Sequence, residues 1–579
     1  MTLTIVTSYV NYYRTSIATA NHTYRLRFLQ KLIKLNVPLV IFVSPDCSSV
    51  LEQFIQQQPS YSHIRMIQLV HSFFESSYMF LTAVHSESKL ELPNNRFIPK
   101  DTFDYMCYQH SKVEYMRQVV ALNPFQSTHY AWCDYNIFQH WEYPEFLPFI
   151  HQYGLPIVTH KPPDESEPSK LWLTQDQLFF PGCWEKATYV MNYLCNNICW
   201  RFCGGFFLGT GESIIKLNEL YLSHYSKFLD TYGKMVWDVN FWAYLEQETD
   251  WDPYVYKADH NRSMLENYPL FALARKPRPL MSLTYTYPEV EHFVPSSGCV
   301  ISWNGKRIYN VRYVNYRYKA DGHCELQPDH KTRTQNKMAY LTNDLTVDDK
   351  CAFYTVEEDS MGLPKPDPNE QFQGVEDIRL YRHQDQLKFI ATTVNYSGCA
   401  TNRMIYGMYD ILHADDGNTK VSLRNVQVMR PPFPTHKEKN WIPFESASEP
   451  NMEYFIYSWN PFRMGVMKED GALKITHHYT NILPPYFQIR GSSNIVYDDG
   501  EYIALVHISA EKTLPKQYFH MLVWLDGTTY KPKKFSKLFY FDKYGPEFCL
   551  SMEVTKEHYI FWISRFDRDP VTLFYSKHW

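Results

Sequence analysis

The segment Gly374-Val-Glu-Asp-Ile-Arg379 opens a run of short strand patterns that decides the fold of the second half of the chain. It begins the cluster 375–395, where apolar and polar residues alternate with the period of a strand. From about residue 285 onward, turn residues separate short strand-like runs, and helical spacing disappears. An all-β domain is therefore expected in this half.

Five such clusters follow one another, with starts roughly 50–70 residues apart. They cover residues 306–318, 375–395, 441–461, 492–507 and 548–574. This spacing is typical of propeller blades with loop insertions. We expect a five-bladed β-propeller over residues 296–579, with the polar stretch 321–368 as a loop-rich insertion between blades.

Residues 1–280 follow a different pattern, in which strand-like and helix-like segments alternate. The expected strands are 2–10, 38–43, 64–70, 129–135, 157–160 and 200–208, and the expected helices are 24–35, 105–122, 185–196 and 213–229. Such alternation predicts an α/β domain with a mostly parallel sheet and helices on its faces. The proline-rich stretch 272–295 is interpreted as the linker to the propeller.

Composition excludes several classes of protein. A net charge of −5 gives no basic surface for nucleic acid. No apolar run is long enough for a membrane span, and the N-terminus lacks the pattern of a signal peptide, so we expect a cytoplasmic protein. The spacing of Cys195, Cys199 and Cys203 is compatible with zinc, but core thiols are favoured. The aromatic fraction of 17% suits either sugar binding or packed strands.

Strand ends of the first domain carry candidate donor-site residues. Thr7, Ser8 and Tyr9 end the first strand, where a nucleotide binds in parallel sheets. Asp134 ends the strand 129–135 and either holds a metal–diphosphate group or begins a turn. Asp238 opens a helix, as a catalytic carboxylate or an N-cap. His260 is either a metal ligand or an ordinary loop histidine.

Several short motifs of this domain occur in the order found in a known family. They are Thr4-Ile-Val-Thr7, Lys112, Tyr130-Ala-Trp-Cys-Asp134, Gly204-Gly-Phe-Phe-Leu-Gly209 and Trp237-Asp-Val-Asn240. Over roughly residues 1–265 the chain resembles the bacterial HtrL/YibB-type glycosyltransferases. The resemblance implies a GT-A-like domain that binds a UDP- or GDP-sugar through Lys112 and a Mn²⁺ or Mg²⁺ ion at Asp134. That family usually follows the Asp with a small residue and Gly, whereas this chain has Tyr135 and Asn136.

The segment 374–379 closely resembles the Gly-x-Glu-Asp-Pro-Arg signature of the β-mannoside phosphorylase and hydrolase family, whose members are five-bladed propellers. The resemblance covers roughly residues 300–579, and Ile378 replaces the family's Pro. It implies that Asp377 is the proton-donating acid and that Arg379 contacts phosphate. Strand alternation predicts that these two side chains share the cavity face and that Glu376 points away, into blade packing.

Other polar side chains are expected around the same cavity. Alternation places Asn310 and Arg312 on one strand face, where they would contact sugar hydroxyls. The family resemblance implies that further blade-start residues gather around the sugar or phosphate, namely Lys439, Arg490, Tyr518 and His520. Each of these is equally compatible with an ordinary surface or core role.

Three functional hypotheses follow. The leading one is a two-domain glycosyltransferase that builds a glycan from nucleotide sugars and a saccharide acceptor, with the propeller as a candidate mannosyltransferase. The second is β-mannoside phosphorylase or hydrolase activity in the propeller, with Asp377 as acid. The third is a non-catalytic propeller that binds carbohydrate. Convergence of Asp377, Arg379, Lys439 and His520 at one end of the propeller would favour chemistry.

Overall fold

The computed structural model describes residues 3–11, 22–69, 77–140, 178–319, 322–348, 353–363, 369–413, 418–480, 482–484, 486, 489–510, 513, 515–542 and 545–577. The chain divides into two compact units, Met1–Leu273 and Ala274–Trp579. The functional labels of the two predicted domains stay predictions. The expected strand 157–160 lies outside the described residues.

The first unit contains a seven-stranded sheet in the order β3-β2-β1-β4-β6-β5-β7. Its strands are β1 (Leu3–Tyr9), β2 (Leu39–Val43), β3 (Ile64–Gln68), β4 (His129–Cys133), β5 (Leu178–Gly182), β6 (Phe206–Thr210) and β7 (Tyr254–Lys257). Strand β6 is antiparallel to both of its neighbours, and the other pairings are parallel. The chain adds β2 and β3 on one side of β1 and β4 on the other. Ligands bind at such a reversal, beyond the carboxyl ends of the strands.

Helices of this unit are α1 (His22–Ile33), α2 (Pro45–Gln56), α3 (Tyr78–Ser86), α4 (Phe103–Leu122), α5 (Met191–Asn196), α6 (Gly211–Tyr232), α7 (Asp238–Glu248) and α8 (Ser263–Leu273). Thr102 caps α4 by accepting a hydrogen bond from the Tyr105 N–H. The helix expected at 185–196 covers only 191–196, and the strand expected from residue 200 begins at Phe206. Among the described helices, none is long and apolar enough to cross a membrane.

The second unit is all-β. Its strands are β8 (Met281–Leu283), β9 (Val294–Trp303), β10 (Lys306–Val314), β11 (Arg317–Tyr318), β12 (Cys324–Glu325), β13 (Thr332–Leu341), β14 (Tyr354–Glu357), β15 (Phe372–Gln373), β16 (Val375–His383), β17 (Gln386–Thr393), β18 (Arg403–His413), β19 (Thr419–Val428), β20 (Ile442–Glu445), β21 (Glu453–Trp459), β22 (Phe462–Met467), β23 (Leu473–Tyr479), β24 (Arg490–Asp498), β25 (Glu501–Ser509), β26 (Tyr518–Asp526), β27 (Pro532–Phe535), β28 (Glu547–Val554), β29 (His558–Arg565) and β30 (Arg568–Ser576).

Twenty of these strands form five antiparallel series of four with a propeller-like organisation, while β11 pairs with β12 and β15 pairs with β13. The series are β9-β10-β13-β14, β16-β17-β18-β19, β20-β21-β22-β23, β24-β25-β26-β27 and β28-β29-β30-β8. A parallel pairing of β14 with β19 joins the first two. The first strands β9, β16, β20, β24 and β28 contact one another in a closed cycle. Arg379, near the start of β16, contacts Asn440 before β20, Ser492 of β24 and Phe548 of β28, so the starts of these four strands lie together.

Two sequence interpretations of this half were wrong. The stretch 272–295 is not a simple linker, because β8 pairs with β30 to complete the last series and β9 begins at Val294. The stretch 321–368 is loop-rich but is not an insertion between blades, because β13 within it pairs with β10 along Arg307–Val314 and β14 extends the same series. Polar residues such as Thr332 and Thr334 alternate with partly exposed ones along β13, and this polarity concealed a strand.

Candidate active site

Asp377 lies at an irregularity near the start of β16. Its backbone is left-handed, with φ of 56°, and the register with β17 shifts between Glu376 and Arg379. A left-handed Asp costs about 1 kcal/mol and a bulge redirects the side chains around it. The prediction that Glu376 points away into blade packing was therefore wrong. Glu376 and Asp377 instead approach the same guanidinium, that of Arg312.

Arg312, from the end of β10, connects the polar groups of this cluster. Its Nη1 donates to Asp377 Oδ1 at 2.9 Å and its Nε donates to Thr334 Oγ1 at 3.1 Å. Its Nη2 donates to Tyr316 Oη at 3.3 Å and lies 4.0 Å from Glu376 Oε1. The planar guanidinium can satisfy several acceptors at once, so it fixes their relative positions.

Lys439 approaches the cluster from the segment before β20. Its Nζ donates to Glu376 Oε2 at 3.1 Å. Burial raises the pKa of Glu376, but Lys439 and Arg312 outweigh it and lower that pKa overall. Burial lowers the pKa of Lys439, but Glu376 and Asp377 raise it overall. Both groups are therefore charged at neutral pH, and the lysine, 38% exposed, marks the open side of the cluster.

Asp567 is a third carboxylate of the cluster, and sequence reasoning missed it. It lies in the turn between β29 and β30 and accepts a hydrogen bond from Tyr316 Oη at 2.9 Å. Burial raises its pKa, which Arg312 partly opposes and Asp377 reinforces. In the sequence it is an Asp within a hairpin turn, where Asp is common, so no local signal distinguishes it.

Arg379 lies beneath the cluster and is fully buried. Its Nη1 donates to the backbone oxygen of Asp377 at 3.4 Å and its Nε donates to that of Ser492 at 3.1 Å. Its Nη2 donates to Asn440 Oδ1 at 3.4 Å. These contacts hold the left-handed backbone of Asp377 in place. The predicted contact of Arg379 with phosphate stays a prediction.

Tyr518, at the start of β26, faces the same region. Burial raises its pKa, and Asp567 and Asp377 contribute to the increase. Its ring packs against His507, with centroids 5.0 Å apart. Arg490 is the register partner of His507 at the start of β24. These blade-start residues therefore belong to the end of the unit that carries Asp377.

Two predicted binding residues lie in the packed interior instead. Asn310 donates to Asn336 Oδ1 at 3.1 Å and accepts from Tyr409 Oη at 3.0 Å, so its amide is used between strands. His520 is fully buried against Phe539 and Phe541, and burial lowers its pKa to about 3. The convergence expected for His520 with Asp377 is not observed in the described contacts.

The first unit places its predicted donor residues at the reversal of strand order. Tyr9, at the end of β1, is buried, and its Oη hydrogen-bonds with His22 Nδ1 at 2.8 Å. The guanidinium of Arg25 lies over the Tyr9 ring at 4.5 Å and over the Tyr135 ring at 5.3 Å. Arg25 thus joins the ends of β1 and β4. Sequence reasoning did not select it, because it resembles any basic residue of a surface helix.

Thr7 and Ser8 are buried in the sheet. Ser8 Oγ donates to Tyr108 Oη at 3.0 Å, while Thr7 Oγ1 has no hydrogen-bond partner among the described residues. Both side chains therefore lie inside the sheet, next to the point where the strand order reverses. Their predicted contact with a nucleotide stays a prediction.

Lys112 of α4 forms an ion pair at the other end of the same region. Its Nζ donates to Asp238 Oδ2 at 3.0 Å and to the Gly204 oxygen at 2.9 Å, and it lies 3.8 Å from Asp134 Oδ1. Burial lowers the pKa of Lys112, but Asp134 and Asp238 raise it overall. Lys112 is 2% and Asp238 1% exposed, whereas Asp134 is 30% exposed. Asp134 is therefore the most exposed of the three, and the predicted roles of Lys112 in donor binding and of Asp238 as a catalytic carboxylate stay predictions.

His260 lies beyond the end of β7 and does not complete a metal site with Asp134. Its Nδ1 lies 3.6 Å from Cys183 Sγ. Among the described residues, the potential metal ligands that converge in a group are Cys183, Cys203 and His260. Asp134 is not part of this group.

No family model and no curated protein matches the chain. Solved structures resemble about half of it. A β-1,2-mannobiose phosphorylase from Listeria innocua is 12% identical over 50% of this chain and 92% of its own, with a TM-score of 0.33. A glycosyl hydrolase from Bacteroides ovatus is 11% identical over 54% of this chain and 96% of its own, with a TM-score of 0.34. A GDP-Man-dependent mannosyltransferase from Leishmania mexicana is 9% identical over 52% of this chain and 90% of its own, with a TM-score of 0.32. These values are too low to transfer a fold or a reaction to this chain.

Proposed function

We propose that the all-β unit is a five-bladed β-propeller that makes or breaks glycosidic bonds, with Asp377 as the carboxyl that transfers the proton. The observation that carries this proposal is the convergence of Asp377, Glu376 and Asp567 around Arg312. The resemblance of residues 374–379 to the β-mannoside phosphorylase signature supports it and suggests mannose as the sugar.

Cleavage of a glycosidic bond requires one carboxyl to protonate the departing oxygen and another to assist the attacking group. Asp377 offers its Oδ2, because Oδ1 accepts the Arg312 hydrogen bond and Oδ2 has no partner among the described residues. Asp567 is the second candidate, since burial raises its pKa and favours its protonated form. The left-handed backbone at Asp377 is the kind of local strain found where a side chain must be aimed at a substrate.

The charges of the cluster favour water or a sugar hydroxyl over phosphate as the attacking group. Lys439 is paired with Glu376 and Arg312 with Asp377, so both cations are already neutralised by carboxylates. Arg379 contacts backbone oxygens and Asn440, but it is fully buried beneath the carboxylates. On these contacts we place glycosyl transfer and hydrolysis ahead of phosphorolysis for this site.

The test is turnover by the purified full chain. Aryl β-mannosides with and without phosphate, and GDP-mannose with mannose oligosaccharides, would be followed by mass spectrometry of the products. Asp377→Asn is expected to lower turnover by about 1,000-fold, the scale of a lost acid–base group. The circular dichroism spectrum should stay unchanged, because the substitution is nearly isosteric.

Asp385→Asn is the matched control. Asp385 lies just beyond the other end of β16, is exposed, and has a left-handed backbone with φ of 55°. Turnover in this variant should match that of the parent chain. Undiminished turnover in Asp377→Asn, or an equal loss in both variants, would contradict the assignment.

We also propose that the first unit binds a UDP- or GDP-sugar at its switch point, as a GT-A-like transferase domain. The supporting observation is that Tyr9 and Asp134 follow adjacent parallel strands at the reversal of strand order. Asp134 Oδ1 accepts from Trp132 Nε1 at 2.8 Å and faces Lys112, which leaves Oδ2 for Mn²⁺ or Mg²⁺. One carboxylate oxygen suits an ion held mainly by donor phosphates.

Calorimetry with UDP- and GDP-sugars in the presence of Mn²⁺ tests this second site. Asp134→Asn should weaken donor binding by about tenfold, in line with loss of one charged ligand. A chelator should have the same effect on the parent chain. Equal donor affinity in the parent, the variant and the chelated sample would exclude the site.

A further inference from the structure

Three potential metal ligands meet at one edge of the sheet in the first unit. Cys183 Sγ lies 3.5 Å from Cys203 Sγ and 3.6 Å from His260 Nδ1. All three ligand atoms lie within 4.8 Å of one another. Asp259 Oδ1 lies 3.7 Å from Cys183 Sγ and 3.7 Å from His260 Nδ1. Sequence reasoning grouped Cys203 with Cys195 and Cys199, which do not belong to this cluster.

The fold brings these side chains together because of the strand directions. Cys183 follows β5 and His260 lies three residues after β7, and these strands are parallel, so both residues leave the sheet at the same edge. Cys203 precedes β6, which is antiparallel and therefore begins at that edge. Backbone hydrogen bonds hold the three segments, from Cys203 N to the Pro181 oxygen at 2.7 Å and from Ala258 N to the Gly182 oxygen at 2.9 Å.

The spacing of the ligand atoms matches a tetrahedral zinc shell. Zinc binds thiolate at about 2.3 Å and imidazole at about 2.0–2.1 Å, so two thiolates lie about 3.8 Å apart and a thiolate and an imidazole about 3.6 Å. The observed separations of 3.5 and 3.6 Å are close to these edges. The sulfur–sulfur distance is well beyond that of a disulfide, about 2.05 Å.

We propose that Cys183, Cys203 and His260 bind one zinc ion, with a water molecule at the fourth position. Sulfur and imidazole ligands favour zinc over the Mg²⁺ or Mn²⁺ expected at Asp134. The rings of Trp200 and His260 pack edge to face with centroids 4.0 Å apart, a contact that holds the imidazole in place.

The ion would have a structural role, since it ties together the loops after β5 and β7 and the loop before β6. That last loop continues to Gly204 and Gly205. The Gly204 oxygen accepts from Lys112, and the Gly205 oxygen accepts from Asp134 N at 2.9 Å. Zinc would therefore stabilise the loop of Gly204 and Gly205, which contacts Lys112 and Asp134 where the strand order of the sheet reverses.

Metal analysis of the full chain tests the proposal. Protein purified under reducing conditions should retain about one zinc ion per chain, measured by elemental mass spectrometry. After removal by a chelator, Co²⁺ should produce the absorption bands of a four-coordinate ion with thiolate ligands. Each of Cys183→Ser, Cys203→Ser and His260→Gln should weaken Zn²⁺ binding by at least about tenfold in competition with a chromophoric chelator.

Cys195→Ser is the matched control, because this thiol is buried in the same unit but outside the cluster. Its zinc affinity should equal that of the parent chain. The proposal is overturned if the folded parent chain binds neither Zn²⁺ nor Co²⁺ through thiolates. It is also overturned by equal loss in the control, or by a Cys183–Cys203 disulfide in the reduced preparation. The Co²⁺ spectrum of the parent chain decides the matter even where a variant fails to fold.

Discussion

A basic side chain lies between two carboxylates in each unit, but the two arrangements differ in exposure and in backbone. In the first unit, Lys112 lies between Asp134 and Asp238. Lys112 and Asp238 are almost completely buried, and Asp238 also accepts a hydrogen bond from the Val239 N–H at the start of α7. The pair is enclosed by helix and sheet and has a regular backbone.

In the all-β unit, Arg312 lies between Glu376 and Asp377. Glu376 is 13% and Asp377 10% exposed, and Lys439 beside them is open to solvent. Asp377 has the left-handed backbone of a bulge. Arg312 is itself only 7% exposed, so burial of the ion pair alone does not separate the two arrangements. What separates them is the exposed Lys439 beside the carboxylates and the local strain at Asp377, which are features of a site that meets a substrate.

The largest effect is expected from breaking the enclosed pair. Lys112→Met leaves Asp238 buried without its cation and should lower the free energy of unfolding by about 3–5 kcal/mol. Urea unfolding of the full chain, with hydrogen exchange of α4 and α7 to localise the change, measures it. The double variant Lys112→Met with Asp238→Asn should recover part of the loss. A stable single variant that has lost only donor binding would instead make Lys112 a ligand-binding residue.

The open cluster should respond in activity and not in folding. Arg312→Lys cannot keep the contacts to Asp377, Thr334 and Tyr316 together. We expect kcat/KM to fall about 100-fold, equivalent to about 2.7 kcal/mol, with little change in the unfolding midpoint. Arg424→Lys, at an exposed ion pair with Asp410, should leave kcat/KM unchanged. A purely structural Arg312 would show the reverse, with lowered stability and intact turnover.

A smaller effect, on the free energy of unfolding, is expected from substitution of Glu358, which contacts Val375 next to Glu376 of the open cluster. Its carboxylate oxygens accept hydrogen bonds from Val375 N and Tyr396 Oη. Among the described residues, no cation forms an ion pair with this carboxylate. Burial raises its pKa from 4.5 to about 7. The folded chain therefore holds this proton more tightly than the unfolded chain, and the stabilisation present at low pH is lost as the pH rises from about 4.5 to about 7.

Glu358→Gln should remove that loss and make the chain about 1–2 kcal/mol more stable than the parent above pH 7, with little difference below pH 4.5. Urea midpoints at pH 4 and pH 8 measure the change. Glu357→Gln, at an exposed ion pair with Lys420, is the control and should give no such pH dependence. Parallel pH profiles for the parent and Glu358→Gln would show that folding does not raise the pKa of this carboxyl.

Much of the fold could be predicted because hydrophobic patterning reports burial directly. The apolar run 38–43 gave β2, and four of the predicted cluster starts fall within about two residues of β16, β20, β24 and β28. The first predicted cluster, 306–318, begins at β10 instead of β9, which is the first strand of its series. The reason is that β9 begins within the proline-rich stretch. The positions of the ends of β1 and β4 followed from the same alternation.

The site could be predicted only in part, because its geometry depends on contacts between distant segments. Regular strand alternation predicts that Glu376 and Asp377 point to opposite faces of β16. The bulge and the left-handed backbone at Asp377 break this alternation, and no periodic pattern in the sequence signals such a bulge. Asp567 reaches Tyr316 only after the last series of strands packs against the first. The role of His260 as a metal ligand stays a prediction, and the potential ligands that the fold brings beside it are the thiols of Cys183 and Cys203, not Asp134.

The pairing of β8 with β30 has a consequence for synthesis of the chain. Met281 is among the first residues of the all-β unit to leave the ribosome, and its partner Phe574 is among the last. The strand β8 must wait, unpaired, for nearly the whole unit to be translated. The first unit, Met1–Leu273, is compact through contacts within itself, and all of it is translated before β8. A nascent chain stalled before β30 would thus contain the whole first unit and an all-β unit whose strand β8 lacks its partner.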